Sequence, residues 1–246
     1  MSSRVEVTFL GTGSASAPDG RQNSCIVVRD GTTTLLLDCG SAALPAITRT
    51  LDPARIDAVL VTHLHGDHFG GIPYLVMHER FAGRTRELVI AGPPSLDERL
   101  HRLSLALYAD YYEQPLPYAL RLVSLADVEL AIGGARIAAL RVAHTSDSDP
   151  YGLRVRIGGK LIAYTGDAQW SDALPALADG ADLFITECTT WESRWPGHLS
   201  ARELAARRDE LRCGRIVLTH LGPEAVAHQR ELPYEVAADG MTIALA

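Results

Sequence analysis

At 246 residues and 47% hydrophobic content, the chain is long enough to bury a large core, and it is read as one domain over residues 1–246. Aspartate and glutamate total 30 against 23 lysine and arginine, and the net charge of −7 excludes a general attraction to phosphate backbones. No apolar run approaches the roughly 20 residues that a membrane span needs, and no apolar signal-peptide core precedes Val5, so the expectation is a cytoplasmic protein with no membrane partner.

Val5–Leu10, Ser24–Arg29 and Thr33–Asp38 predict strands, and the Gly-, Pro- and Asn-rich stretches between them suggest antiparallel pairing. A helix over Ala42–Leu51 leads to a buried strand, Ala58–Thr62. A helix over about 71–81, a strand at Leu88–Ala91 and a helix at Ser95–Tyr108 follow, then several strands between Leu120 and Tyr164. Helix Ser171–Ala178, strand Leu183–Thr186, helix Ser200–Arg212, strand Ile216–Thr219 and a final strand Met241–Leu245 complete the second half. Strand-rich stretches followed by helices in both halves predict an α/β fold: two mixed β-sheets packed face to face with helices outside, a four-layer αββα sandwich. Cys25, Cys39, Cys188 and Cys213 lack the C-x-x-C spacing of a metal or redox pair and read as small core or near-core thiols.

The chemistry concentrates in Thr62-His63-Leu64-His65-Gly66-Asp67-His68, directly after an apolar strand. Three imidazoles and a carboxylate packed this densely would repel and desolvate one another unless a cation satisfied them together. Four ligands on one loop do not close two metal sites, so further ligands are required at later strand ends. His144 follows Arg136–Ala143, Asp167 follows Leu161–Tyr164, and His220 ends Ile216–Thr219. Taken singly each is more often an ordinary capping or surface residue; jointly they supply the missing three. Imidazole suits zinc, and a carboxylate shared by two cations offsets their repulsion, although a mixed His/Asp set also takes Mn2+ or Fe2+.

With Phe9-Leu10-Gly11-Thr12-Gly13-Ser14-Ala15, Arg21-Gln22-Asn23-Ser24, Leu37-Asp38-Cys39-Gly40 and the H-x-H-x-D-H run from His63 to His68, the chain resembles metallo-β-lactamase-superfamily hydrolases, most of all the ribonuclease Z and small phosphodiesterase branch. The resemblance runs nearly end to end. It implies one metal on His63, His65 and His144, a second on Asp67, His68 and His220, and Asp167 bridging them, with a metal-bridging hydroxide as nucleophile and Asp67 orienting it or accepting its proton. Gly197-His198-Leu199-Ser200 opens a predicted helix, with Ser200 as N-cap and Glu203 at the capping-box position. The segment resembles that branch's extra histidine motif, which implies that His198 contacts the scissile phosphate or protonates the leaving oxygen; a solvent-facing loop histidine is the plainer alternative. Glu187, ending another apolar strand, is placed to orient His198. His78, His101 and His228 match nothing in the motif set.

His144 and Asp167 lie 23 positions apart. Ribonuclease Z proteins insert a tRNA-clamping arm between these ligands, whereas Tyr151–Lys160 reads as one hairpin with a Gly-Gly turn. The expected partner is therefore a small-molecule phosphodiester or nucleotide, such as a cyclic nucleotide, a cyclic sugar phosphate or a short oligonucleotide, and not a long tRNA. Processing of tRNA 3′ ends and hydrolysis of a lactone or thioester stay open as alternatives. The segment 105–117, with Tyr108, Tyr111 and Tyr112, is open to two readings: a cover over the site that stacks on a base or sugar, or a buried contact, including that of a homodimer.

Overall fold

The computed structural model describes residues 4–126 and 129–246, with Tyr111 described in its backbone alone. Strands β1 (Val5–Gly11), β2 (Cys25–Arg29) and β3 (Thr34–Leu37) form an antiparallel meander in which Val7 faces Val28 and Val28 faces Leu35. Helix α1 (Ala43–Thr50) then leads to β4 (Ala58–Leu60), α2 (Gly66–Phe69) and α3 (Ile72–Phe81) to β5 (Leu88–Gly92), and α4 (Leu96–Tyr112) to β6 (Leu120–Ser124). From β3 to β6 the pairing is parallel, as helical crossovers require.

The second half repeats this plan. Strands β7 (Leu130–Ile132), β8 (Ala135–Arg141), β9 (Tyr151–Ile157) and β10 (Lys160–Tyr164) pair antiparallel. Helix α5 (Ala173–Ala178), β11 (Ala181–Glu187), α6 (Ala201–Ala206), β12 (Cys213–Thr219), α7 (Pro223–Ala227) and β13 (Glu235–Val236) continue it in parallel. Strand β14 (Thr242–Leu245) returns to pair with β1, giving two seven-stranded sheets ordered β14-β1-β2-β3-β4-β5-β6 and β13-β12-β11-β10-β9-β8-β7.

The layers follow from the period of two along each strand. Val5, Val7 and Phe9 of β1, Ile26 and Val28 of β2, and Leu35 and Leu37 of β3 join Leu153, Val155, Ile162 and Leu183 of the second sheet in one inner core. Their alternates, Val27, Leu36 and Val59, pack outward with Ile47, Ile72 and Leu75 of α1 and α3. Leu161, Ala163 and Phe184 do the same against α5 and α6. Helix, sheet, sheet and helix thus stack as the predicted αββα sandwich.

Three elements depart from the predicted ones. The helix expected to run to Arg212 stops at Ala206 and loosens into a 3-10 turn at Arg208–Glu210, because Leu211 turns into the core and the Arg212 carbonyl accepts from Gly180 N as the chain enters β12. Helix α4 runs past Tyr108 to Tyr112, with non-helical backbone at Tyr108. The end of the ligand-rich run, with Asp67 and His68, lies in α2, a four-residue helix with no apolar period to announce it. Among the described residues no helix is long and apolar enough to cross a membrane.

Candidate metal centre

Every predicted ligand lies beyond the C-terminal end of a strand, and these ends converge. Asp38 follows β3, His63 follows β4, His144 follows β8, Asp167 follows β10, Glu187 ends β11 and His220 follows β12. Side chains there reach past the sheet edge, where the crevice of an open α/β sheet lies. Two close approaches need glycine. Gly166, at φ +58°, sits where a Cβ would meet the Thr62 side chain at 2.7 Å; Gly197, at φ +84°, sits where one would meet His144 Nδ1 at 2.8 Å. Asp38 and His220 hold left-handed backbone without being glycine, at φ 59° and 54°, which aims their side chains inward.

All seven predicted ligands come together, in two groups that share one residue. His63, His65, His144 and Asp167 form the first; Asp67, His68, Asp167 and His220 form the second. Asp167 Oδ2 faces His63 Nε2 at 3.7 Å and His144 Nε2 at 3.9 Å, while Oδ1 faces His68 Nε2 and His220 Nε2, both at 3.3 Å. Asp67 Oδ2 lies 3.3 Å from His220 Nε2 and 3.5 Å from His68 Nε2.

Hydrogen-bond partners behind the rings favour a proton on the outer nitrogen of each. His68 Nδ1–H donates to the Asp38 carboxylate at 2.7 Å and His144 Nδ1–H to the Gly197 carbonyl at 2.7 Å. Thr62 Oγ1 gives its one proton to Asp38, so at 3.1 Å it accepts from His63 Nδ1–H. Thr189 Oγ1 gives its proton to Glu187 at 2.6 Å and so accepts from His220 Nδ1–H at 3.1 Å. Thr145 Oγ1 donates to Ser148 and accepts from His65 Nε2–H at 3.3 Å. Each ring is therefore held from behind and turns its other nitrogen to the centre, the arrangement that outer hydrogen bonds impose on metal-binding histidines.

This donor set fits divalent cations. His63 Nε2, His68 Nε2 and Asp167 Oδ1 are buried with no hydrogen-bond partner, and the bare nitrogens of His65 and His144 face each other at 3.3 Å. Buried acceptors arranged this way are costly unless positive charge sits among them. Protonation follows the same demand. Burial lowers the His68 pKa, but the charges of Asp167, Asp38 and Asp67 outweigh it and raise it well above the ordinary value. His63 goes the other way, pushed down by burial and by the charge of His68. For Asp167 burial acts upward, and the surrounding imidazoles, His220 and His68 foremost, hold it well below the ordinary carboxylate range. Dications can replace the protons that the carboxylates attract.

His198 lies beside this cluster and lines a cavity of about 170 Å³ together with Ser14, Ser16, Asp67, Trp195 and His220. Its Nδ1–H donates to Glu187 Oε1 at 3.0 Å. Burial lowers its pKa, but the hydrogen bond and charge of Glu187, with Asp167 behind, lift it to about 9. Glu187 is fully buried and also accepts from Ala168 N and Thr189, so its position is fixed. Ser200 caps α6 by accepting from Glu203 N at 3.1 Å, which secures the segment that carries His198.

The remaining expectations resolve away from the cluster. Tyr112 donates to the Pro73 carbonyl, the Tyr108 ring meets Tyr74 at 6.4 Å, and none of these tyrosines lines the cavity, so the segment covers α3 and not the site. The Tyr111 side chain lies outside the described residues. His78 bonds Glu79, and His228 stacks on Trp191 and bonds Glu231. A larger cleft of about 600 Å³, between Arg4, Arg29, Asp52 and Arg55, lies at the opposite strand ends and holds none of the ligands. Asp38, Thr189 and Trp195 were missed as contributors. A carboxylate ending the apolar run Leu35-Leu36-Leu37 was the available signal for Asp38; Thr189 and Trp195 had none.

Relatives agree with this chemistry. Ribonuclease Z of Methanothermobacter thermautotrophicus is 27% identical, over 88% of this chain and 86% of its own. The probable metallo-hydrolase YhfI of Bacillus subtilis is 26% identical over 88% and 87%, and its crystal structure superposes with a TM-score of 0.81 at 23% identity, covering 99% of this chain and 100% of that one. Human tRNase Z, short form, superposes with a TM-score of 0.77 at 27% identity, covering 97% and 98%. Fold, donor set and relatives together define a metal-dependent hydrolase of the metallo-β-lactamase fold. Within that class, the family model described as Anti-Pycsar protein Apyc1 matches residues 5–236, and the chain belongs to that family.

Proposed function

We propose that the chain is a single-domain, binuclear zinc phosphodiesterase acting on a small phosphodiester or nucleotide. His63, His65 and His144 would hold one ion, Asp67, His68 and His220 the other, and Asp167 both. The observation that carries this reading is the Asp167 carboxylate, whose two oxygens face different histidine pairs at 3.3–3.9 Å. Bound divalent ions supply a water that ionises near neutral pH and positive charge for the developing oxyanion.

The chain's own residues do the rest. Burial acts to raise the Asp67 pKa, but His68 and His220 hold it far below the ordinary range; ionised in the lining of the cavity, Asp67 orients the attacking water. His198, kept protonated against Glu187, gives a proton to the leaving oxygen. A protonated imidazole beside a cluster that would hold two cations suits a dianionic transition state, which favours a phosphodiester over a lactone or thioester.

Substrate size is argued from the interval between His144 and Asp167. Ser148 and its neighbours form a short loop, and β9 and β10 are joined by Gly158 and Gly159 alone, so this interval offers no arm to grip a tRNA. The ribonuclease Z relatives nevertheless favour tRNA 3′ processing as a second reading. One metal-loaded preparation assayed on bis-p-nitrophenyl phosphate, cyclic nucleotides, precursor tRNA, a lactone and a thioester decides. The expected result is turnover of the small phosphodiesters with poor tRNA cleavage; efficient, salt-sensitive tRNA cleavage supports the second reading and overturns the first.

A further inference from the structure

The seven ligands are not held alike. The His65 side chain is 32% exposed, against 11% or less for the other six. The other imidazoles are backed by buried groups, namely Thr62, Asp38, the Gly197 carbonyl and Thr189. Behind His65 Nε2 stand Thr145 Oγ1 at 3.3 Å and Asp147 Oδ1 at 3.9 Å, both on the loop 144–150 of the second half, where the Asp147 side chain faces solvent. A solvent-facing loop orients an imidazole only if the loop itself is held.

Helix α4, from the first half, does the holding. Arg99 is half-buried, and its guanidinium spans the two ligand loops: Nη2 donates to the Leu64 carbonyl at 3.2 Å, between His63 and His65, and Nη1 to the Asp147 carbonyl at 3.3 Å. Ser95, one turn earlier on the same face, donates to Asp149 Oδ2 at 3.2 Å, while Arg141 holds Asp149 Oδ1 at 3.0 Å. Between the loops, Leu64 N donates to the Ser148 carbonyl at 2.9 Å.

We propose that Arg99 is a positioning residue that latches the His63–His65 loop to the loop behind His65, and so sets the affinity for one ion of the pair, the ion on His63, His65 and His144. This rests on the binuclear reading. A planar guanidinium serves two carbonyls at once, which an ammonium does not. Both carbonyls lie near solvent, so water can replace the lost donors and the fold survives without Arg99. The loop is then free to move, and His65 loses its fixed outer partner. Asp67, His68 and His220 touch neither loop carbonyl and are backed by Asp38 and Thr189, so the loss is confined to one ion.

The test compares wild type, Arg99→Met, which keeps the aliphatic stem, and Arg99→Lys, each titrated in zinc buffers with the bound ions counted. As free zinc is lowered, the two ions of wild type leave together. In Arg99→Met one ion is expected to leave at about 10-fold higher free zinc, the low end of what an outer partner of a metal-binding histidine contributes, while the other stays within about twofold of wild type. Arg99→Lys should restore only part of the loss. In metal-free protein, exchange of the Leu64 amide should quicken roughly 3- to 10-fold in Arg99→Met, the worth of one net hydrogen bond, and that of the Val61 amide, bonded to the Ala91 carbonyl, should not change. Arg154→Met, which strips the donors from the Ala176, Leu177 and Asp179 carbonyls at the end of α5, is the control and should leave both ions and Leu64 exchange as in wild type. Equal weakening of both ions, unchanged affinity for both, or unchanged Leu64 exchange would overturn the proposal. A wild type that binds a single ion refutes the binuclear reading instead, and Leu64 exchange still decides the latch.

Discussion

Arg84 and Glu79 are buried about as deeply as His63, His68 and Asp167, yet the two groups are completed in opposite ways. Arg84 gives Nη1 to Glu79 Oε2 at 2.9 Å, Nη2 to the carbonyls of Ile56 and Glu87, and Nε to that of Arg86. Its donors are met by the chain, and the pair ties the end of α3 to the start of β5. In the His/Asp cluster the outer atoms are bonded just as thoroughly, but three inner atoms have no partner. Buried charge alone therefore marks nothing. A group closed by its own chain is structural, whereas one bonded at its periphery and open at its centre is built around something other than protein.

The comparison breaks most visibly at Asp167. Asp167→Ala should reduce turnover by about a thousandfold or more and lose both metals, since two cations would be left without their shared anion. Its far-UV circular dichroism should stay close to wild type. Retained turnover with both metals bound would mean that the bridge is misassigned.

His198→Ala should cost roughly 10²- to 10⁴-fold on an alkyl leaving oxygen and less on p-nitrophenolate, which departs without a proton. Its pH profile sharpens the point. His198 has a raised pKa, so the proton is present at low pH and lost as pH rises through it; Glu187→Gln removes the charge that raises it, and the alkaline limb of kcat/KM should move to lower pH. Bound cations push the same pKa down in both proteins, so the direction of the shift carries the test. An unmoved limb would separate His198 from the proton transfer.

Arg84→Met probes the closed group and should leave turnover per folded molecule and metal content unchanged, while stability in urea falls by about 3–5 kcal/mol through the unpaired Glu79. A loss of metal in that variant would erase the distinction between the two groups.

Much of the His/Asp cluster was legible in the sequence because candidate metal ligands are chemically conspicuous. Four donors between His63 and His68 have no economical role without a cation, and His144, Asp167 and His220 each follow a run whose apolar character marks it as a strand. The sandwich was legible for a related reason: both faces of most strands are buried, so Leu35–Leu37 and Ala58–Val61 read as unbroken apolar stretches. What escaped depends on tertiary neighbours. The left-handed turn at His220 and the relay from His220 through Thr189 to Glu187 leave no pattern in spacing. Trp195 stands in a polar loop with no period, and the sequence pattern carries helix α6 past its end at Ala206 because nothing local shows that Leu211 must turn inward.

The central claim is that the open centre is built for two cations, and metal content measured by mass spectrometry after gentle purification tests it most directly. With zinc or manganese supplied, the account predicts two ions per chain, falling together on chelation. A stoichiometry that stays near one under the same supplementation would contradict it.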